Sequence, residues 1–366
     1  MSFTKKIITA TLFLTALASS TFAKPKAKKT KESKNTNTIK IVTTIFPEYD
    51  WTREIIGTQS ENTELALLMN NGTDLHSYQP SIQDIAKIST ADIFIYVGGE
   101  SDGWVKDALK NVRNKNIIAL NLMELLGDKV REEEIIEGMQ SEEEEHHHEH
   151  HHDEEAEDDE EHEEGHHHED EEGEGHENHH HHEDEDEIEY DEHVWLSLRN
   201  AKICCNAICE ALCKTAPENV TAYKTNLTAY SEKLDDLDSR ISKTVSASAQ
   251  KTLLFGDRFP FRYFVDDYSL NYYAAFEGCS AETEASFETI IFLAKKVDEL
   301  GLNSVCQIES GTGKIARTII QSSKNKNASI LTFDSMQSVN STDIKNGTTY
   351  ISIMENNLEI LKEALR

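Results

Sequence analysis

Basic residues are missing from a long internal stretch of this chain. Between Glu142 and Glu192 twenty-nine Asp and Glu stand without one Lys or Arg, so this segment supplies 29 of the 32 net negative charges and the remainder is nearly neutral. Once the N-terminal lysines are set aside, nothing basic is left to form a nucleic-acid surface. Long apolar runs are scarce as well. Ile7–Leu17 is short for a membrane span, and no later segment reaches the roughly 20 residues a spanning helix needs. No Cys precedes Cys204, so no thiol follows the first apolar run to accept a lipid. Cys-x-x-Cys spacing is absent, which argues against a zinc knuckle, and GTGK at Gly311–Lys314 lacks the spacing of a phosphate-cradling loop.

Histidine is present in a telling distribution. Fifteen of the seventeen fall between His146 and His182 among acidic residues, and the other two stand alone as His76 in GTDLHSYQPS and His193 in YDEHVWLS. Imidazole binds borderline transition-metal ions near neutral pH. A run of it would collect such an ion loosely, and an isolated pair would hold it. The acidic, histidine-rich stretch 141–190 buries too little apolar surface to offset its ordering entropy and is expected to be a disordered surface loop.

The first residues carry an export address. Lys5 and Lys6 precede the apolar run, and SSTFA ends in Ala23, a pattern that fits a signal cleaved after residue 23. A soluble, non-lipidated periplasmic protein is expected, with the lysine-rich residues 24–38 as a flexible linker. An exported location permits disulfides, and Cys279–Cys306 is a candidate pair. Cys204, Cys205, Cys209 and Cys213 lie in an apolar helical stretch and read as small core residues.

About 280 residues remain, more than one compact core usually holds, so two domains are expected. Ile39–Ile45 alternates until Pro47 stops it, and Ala91–Gly98 and Asn116–Leu122 are further short strands, with a helix at Ser81–Ser89 between. TLLFG ending at Gly256, SVCQI ending at Ile308 and SILTF ending at Phe333 repeat the style. Strands alternating with helices indicate α/β lobes with mostly parallel sheets covered on both faces. Between the halves, Val220, Tyr223, Leu227, Tyr230, Leu234, Leu237, Ile241 and Val245 recur at helical spacing after Pro217. The expected organisation is one α/β lobe over 39–216, a long connecting helix over 217–249 and a second α/β lobe over 250–366. A single rigid rod suits a protein that traps a ligand between lobes and moves little on binding.

Ile41–Trp51 (IVTTIFPEYDW), Gly72–Ile88 (GTDLHSYQPSIQDIAKI), Ala91–Trp104, Asp191–Ala201 (DEHVWLSLRNA), Pro217–Asp238 and Gly347–Leu361 together resemble the zinc- and manganese-specific solute-binding proteins of bacterial ABC transporters. The resemblance covers nearly the whole chain after the leader and keeps the motif order, with the histidine-rich insertion just before HVWL. It implies a metal ion held in the cleft between two lobes joined by one long helix and passed to an ABC permease in the inner membrane. It also implies that His76 and His193 are metal ligands, with Zn2+ favoured over Mn2+ by the histidine-rich loop. At the position where the family places a third His or Glu, this chain has Arg258, which cannot ligate a cation. Asp257, one residue earlier, is the local substitute, and Asp334 in LTFDSM matches the family's acidic position. Glu309 stands in reserve, with Glu282 and Glu284 behind it.

A monomer without enzymatic activity is expected. Two alternatives remain open from sequence: an exported zinc hydrolase using two His and a carboxylate with an open water position, and a zinc buffer or adhesin-like binder that serves no transporter.

Overall fold

A computed structural model describes residues 38–140, 189–280 and 284–366. The expected signal, the linker apart from Thr38, and nearly all of the histidine-rich run lie outside the described residues.

Eight strands form two four-stranded sheets. In the first, β1 (Ile39–Thr43), β2 (Thr63–Leu67), β3 (Ile93–Tyr96) and β4 (Ile118–Asn121) pair in the order β2-β1-β3-β4, every pair parallel. The second repeats that order as β6-β5-β7-β8, again all parallel, with β5 (Thr252–Arg258), β6 (Asn271–Phe276), β7 (Ser304–Ile308) and β8 (Ser329–Phe333). Parallel strands need crossover connections. These are supplied in the first half by α1 (Phe46–Ile56), α2 (Ile82–Ser89) and α3 (Val105–Lys110), while α4 (Leu122–Leu126) and α5 (Leu198–Thr215) follow its last strand. The 28-residue helix α6 (Val220–Ala247) then leads into the second half, where α7 (Arg262–Tyr268), α8 (Phe287–Leu300), α9 (Lys314–Ser322), α10 (Ser341–Lys345) and α11 (Tyr350–Ala364) follow.

The rod expected from periodicity is α6, about 42 Å long at 1.5 Å per residue. Its buried stripe is Tyr223, Tyr230, Leu234, Leu237, Ile241 and Val245. Its first half reaches lobe one, where Asn226 Nδ2 donates to Ile55 O at 3.0 Å, and its second half reaches α11, where Arg240 meets Glu355 Oε1 at 2.8 Å.

One hydrophobic core runs through both lobes, and a smaller one sits beneath α8 and α9. Buried polar contacts tie the lobes further. Trp195 Nε1 donates to Ser335 O at 2.9 Å, Tyr350 Oη to Trp195 O at 2.6 Å, and the Tyr350 amide to Asp50 Oδ2 at 2.8 Å. A shared core crossed by satisfied hydrogen bonds resists hinge motion, because separating the lobes would expose both.

Several local expectations change. Pro47 does not merely stop a strand: it sits in the first turn of α1, where a missing N–H costs nothing. The run Asn116–Leu122 divides, with Asn121 capping α4 through its side chain on the Glu124 amide. The edge strands β2 and β6 carry no strong alternation and were not evident in sequence. Glu189 and Tyr190, placed by sequence in the histidine-rich run, pair with Glu133 and Glu132. Cys279 and Cys306 are both free thiols, so that bridge is not formed. Cys204, Cys205 and Cys209 are buried on α5 as core residues.

Candidate metal centre

The ligand-type side chains gather beyond the carboxyl ends of both parallel sheets, where doubly wound folds present their binding residues. His76 lies on a single helical turn, Leu75–Ser77, after β2. Asp74 caps that turn, its Oδ1 accepting from the His76 amide at 3.1 Å. His193 immediately precedes the turn Val194–Leu196 that leads into α5, and it is fully buried.

Both rings are held from their Nδ1 side. His193 Nδ1 lies 3.0 Å from Asp191 Oδ1, and the same oxygen accepts from the His193 amide at 2.8 Å. A carboxylate can only accept, so Nδ1 carries a hydrogen, and in the neutral ring Nε2 keeps the lone pair that a metal would take. His76 Nδ1 lies 2.9 Å from Ser101 Oγ and 3.5 Å from Glu192 Oε2. Glu192 in turn accepts from the Ser101 amide at 2.8 Å, and its Oε2 has no hydrogen bond. Of the two acids flanking His193 in sequence, Asp191 serves His193 and Glu192 faces His76.

The two Nε2 atoms point at one another, 3.2 Å apart. Donor atoms 2.0–2.1 Å from a tetrahedral zinc would be separated by about 3.3 Å, so this spacing already matches one edge of such a site. Among the described residues, His76, His193 and Cys279 are the group of His, Cys, Asp or Glu whose ligand atoms all lie within 4.8 Å of one another.

Charge tunes the pair unequally. Burial, the facing His193 and Arg258 push His76 down to about 3, against the pull of Asp74. For His193, burial also opposes the charged ring, but the Asp191 carboxylate and its hydrogen bond, with Glu133 behind, hold it above the ordinary imidazole value.

Asp257 and Asp334, the carboxylates expected to complete the ligand set, stand outside the group of three. Asp257 at the end of β5 accepts from the amides of Arg258 at 3.0 Å and Ile308 at 3.3 Å. Asp334 Oδ1 accepts from the Met336 amide at 2.8 Å. Burial and then the neighbouring Glu309 raise Asp334 to about 7. Each carboxylate is engaged with strand-end backbone, and Asp257 lines a cavity shared with Asp74 and Ser77 of the His76 turn. Glu309 is likewise engaged, taking the amide and hydroxyl of Ser335 at 2.8 and 2.9 Å. Arg258 pairs with Asp74 across the lobes and so braces the His76 turn.

Sequence reasoning missed Cys279 as a partner of the histidines. It also missed that Gly99–Gly103 (GESDG) has the Gly-x-Ser-x-Gly spacing of a nucleophile elbow, after strand β3 and before α3. A catalytic triad divides the two ring nitrogens between serine and acid. Here Ser101 and Glu192 share Nδ1, while Nε2 faces the second histidine, so Ser101 orients the ring.

Two parallel α/β lobes on one long helix, with ligand-type side chains collected between them, define a solute-binding protein. A family model described as zinc-uptake complex component A, periplasmic (ZnuA), matches residues 41–364, and the chain belongs to that family. The zinc-binding protein AdcA of Streptococcus pyogenes is 29% identical over 330 residues, covering 88% of this chain and 55% of AdcA. The chain thus spans about half the length of that relative. The high-affinity zinc uptake system protein ZnuA of Bacillus subtilis is 26% identical over 325 residues, 89% of this chain and 87% of that protein. The Zn(II)-bound ZnuA-like domain of Streptococcus pneumoniae AdcA shares the fold with a TM-score of 0.62 at 23% identity, covering 90% of this chain and 99% of that one.

Proposed function

We propose that this protein binds zinc outside the cytoplasm through Nε2 of His76 and His193 and hands it to an ABC-type permease. The observation that carries the reading is the convergence of two imidazoles, His193 fully buried and His76 half-buried, each held through Nδ1, at the spacing a zinc ion requires. Membership of the zinc-uptake family and the likeness to the zinc-binding protein AdcA and the zinc uptake system protein ZnuA support the same cargo and destination.

The proposed protein is a non-enzymatic monomer, exported by cleavage after Ala23 and free of lipid, although the Streptococcus pneumoniae relative is called a lipoprotein. Manganese fits less well, because it favours oxygen ligands over paired imidazoles. The histidine-rich run is proposed to add weak zinc equivalents beside the tight one.

The test is calorimetric titration of the full chain with zinc and with manganese, using a competing chelator strong enough to keep the histidine run empty. One tight zinc equivalent, lost in His193→Ala and absent with manganese, is expected. A tight equivalent that survives both His76→Ala and His193→Ala would overturn the assignment.

A further inference from the structure

We infer that Cys279 is the third protein ligand of this site, its sulfur joining the two imidazoles on zinc, an inference that rests on the histidine pair holding the ion.

Three observations carry it. First, the Cys279 sulfur is the remaining member of the group whose ligand atoms all lie within 4.8 Å, and it comes from the opposite lobe, on the loop after β6. Zinc–sulfur and zinc–nitrogen bonds of about 2.3 and 2.0–2.1 Å in a tetrahedron call for a sulfur–nitrogen separation of about 3.6 Å. Second, the loop is seated tightly on the ring. A Cβ on Gly278 would stand 3.2 Å from His193 Cε1 and 2.9 Å from Phe259 O, so a larger residue there would drive the loop off the ring. Third, the Cys279 backbone is fixed, its amide donating to Glu133 Oε1 at 3.1 Å.

The carboxylates of Glu133 and Asp191 stand beside Cys279 and His193, and a divalent cation among these groups satisfies the acids and stabilises the thiolate together. On binding, the S–H bond is exchanged for a sulfur–metal bond and one proton leaves to solvent, with no change of oxidation state. A thiolate beside two imidazoles selects zinc over harder, oxygen-seeking ions such as manganese. It supplies what Arg258, Asp257 and Asp334 do not.

Cobalt(II) bound to the full chain separates the cases, because a thiolate ligand produces an intense near-ultraviolet charge-transfer band that imidazoles and carboxylates, including those of the histidine-rich run, do not. The wild type should show this band at one equivalent. Cys279→Ser should lose it, release one proton fewer per zinc and bind zinc more weakly by a factor beyond the about 10–100-fold typical of losing an outer-shell partner. Circular dichroism of apo Cys279→Ser and Cys279→Ala checks that both fold. A tight cobalt equivalent without the band, or a band that persists in Cys279→Ser, would overturn the role of Cys279 and leave the histidine pair standing. Tight cobalt binding that survives His76→Ala and His193→Ala would overturn the histidine reading and this inference with it.

Discussion

The two lobes share one topology and divide the chemistry. In each, the second strand in sequence is an edge strand, and a loop carrying a proposed ligand follows it: His76 after β2 and Cys279 after β6. In each, a carboxylate near the end of a central strand, buried in the first lobe and half-buried in the second, gathers backbone amides. Glu48 Oε2 takes those of Thr44 at 2.8 Å and Ile45 at 3.3 Å in the first lobe, and Asp257 takes those of Arg258 and Ile308 in the second. The lobes differ in how the ligand is aimed. His76 is nine residues beyond its strand and depends on Asp74, Ser101 and Glu192, whereas Cys279 is three residues beyond its strand and its amide is held by the Glu133 side chain of the first lobe. Position in a doubly wound sheet therefore marks where a ligand can stand. Which carboxylates become ligands and which become braces depends on the amides within their reach.

The largest expected effect comes from breaking the half of the comparison in which histidines bind. His193→Ala should weaken the tight zinc site by more than about 100-fold, exceeding the loss of an outer-shell contact, as read by chelator competition.

Next is the parallel between Glu48 and Asp257 as braces. Burial, followed by the charge of Asp102, raises Glu48 to about 8 from an ordinary value of 4.5. A carboxyl whose folded pKa is raised stabilises the fold fully below its unfolded value, and that contribution is lost as pH rises through the folded value. Between about pH 5 and 8 the wild type should therefore lose up to about 1.4 kcal/mol per pH unit relative to Glu48→Gln. Denaturant titrations of the two apo proteins across that range would show it, and parallel profiles would refute it.

Asp257→Ala sharpens the same parallel from the second lobe. It should cost about 1–3 kcal/mol by leaving two strand-end amides unpaired, while zinc affinity stays within about threefold. A collapse of affinity with little loss of stability would return Asp257 to the ligand set expected from sequence.

The smallest effect is expected from replacing residues 142–187 with a short Gly-Ser linker. The Glu189 and Tyr190 pairings to Glu133 and Glu132 are retained, so thermal stability and the tight equivalent should be unchanged while the weak zinc equivalents disappear. Calorimetry of both proteins measures this, and unchanged total stoichiometry would count against a metal-binding role for the run.

Much of the fold was legible because its signals are local. Apolar runs bounded by turn residues marked six of the eight strands, and three-to-four spacing marked α6. β2 and β6 escaped although the other two edge strands, β4 and β8, did not: Glu64 interrupts the apolar pattern of β2, and the first residue of β6 is exposed. Within the site, His76 and His193 stood out because every other histidine lies in one run. Cys279 did not, since its partners sit 203 and 86 residues earlier in the chain.

What the sequence determined by itself is thus the parallel α/β architecture, the connecting rod, the family and the two imidazoles, because periodicity, composition and contiguous motifs are properties of neighbouring residues. The tertiary structure alone decided that Asp191 orients His193 while Glu192 faces His76, that Asp257 and Asp334 serve backbone amides, and that a cysteine from the second lobe meets the histidines of the first. Those outcomes depend on distances of a few ångströms between atoms far apart in the chain, which only the packing of two lobes on a common core can set.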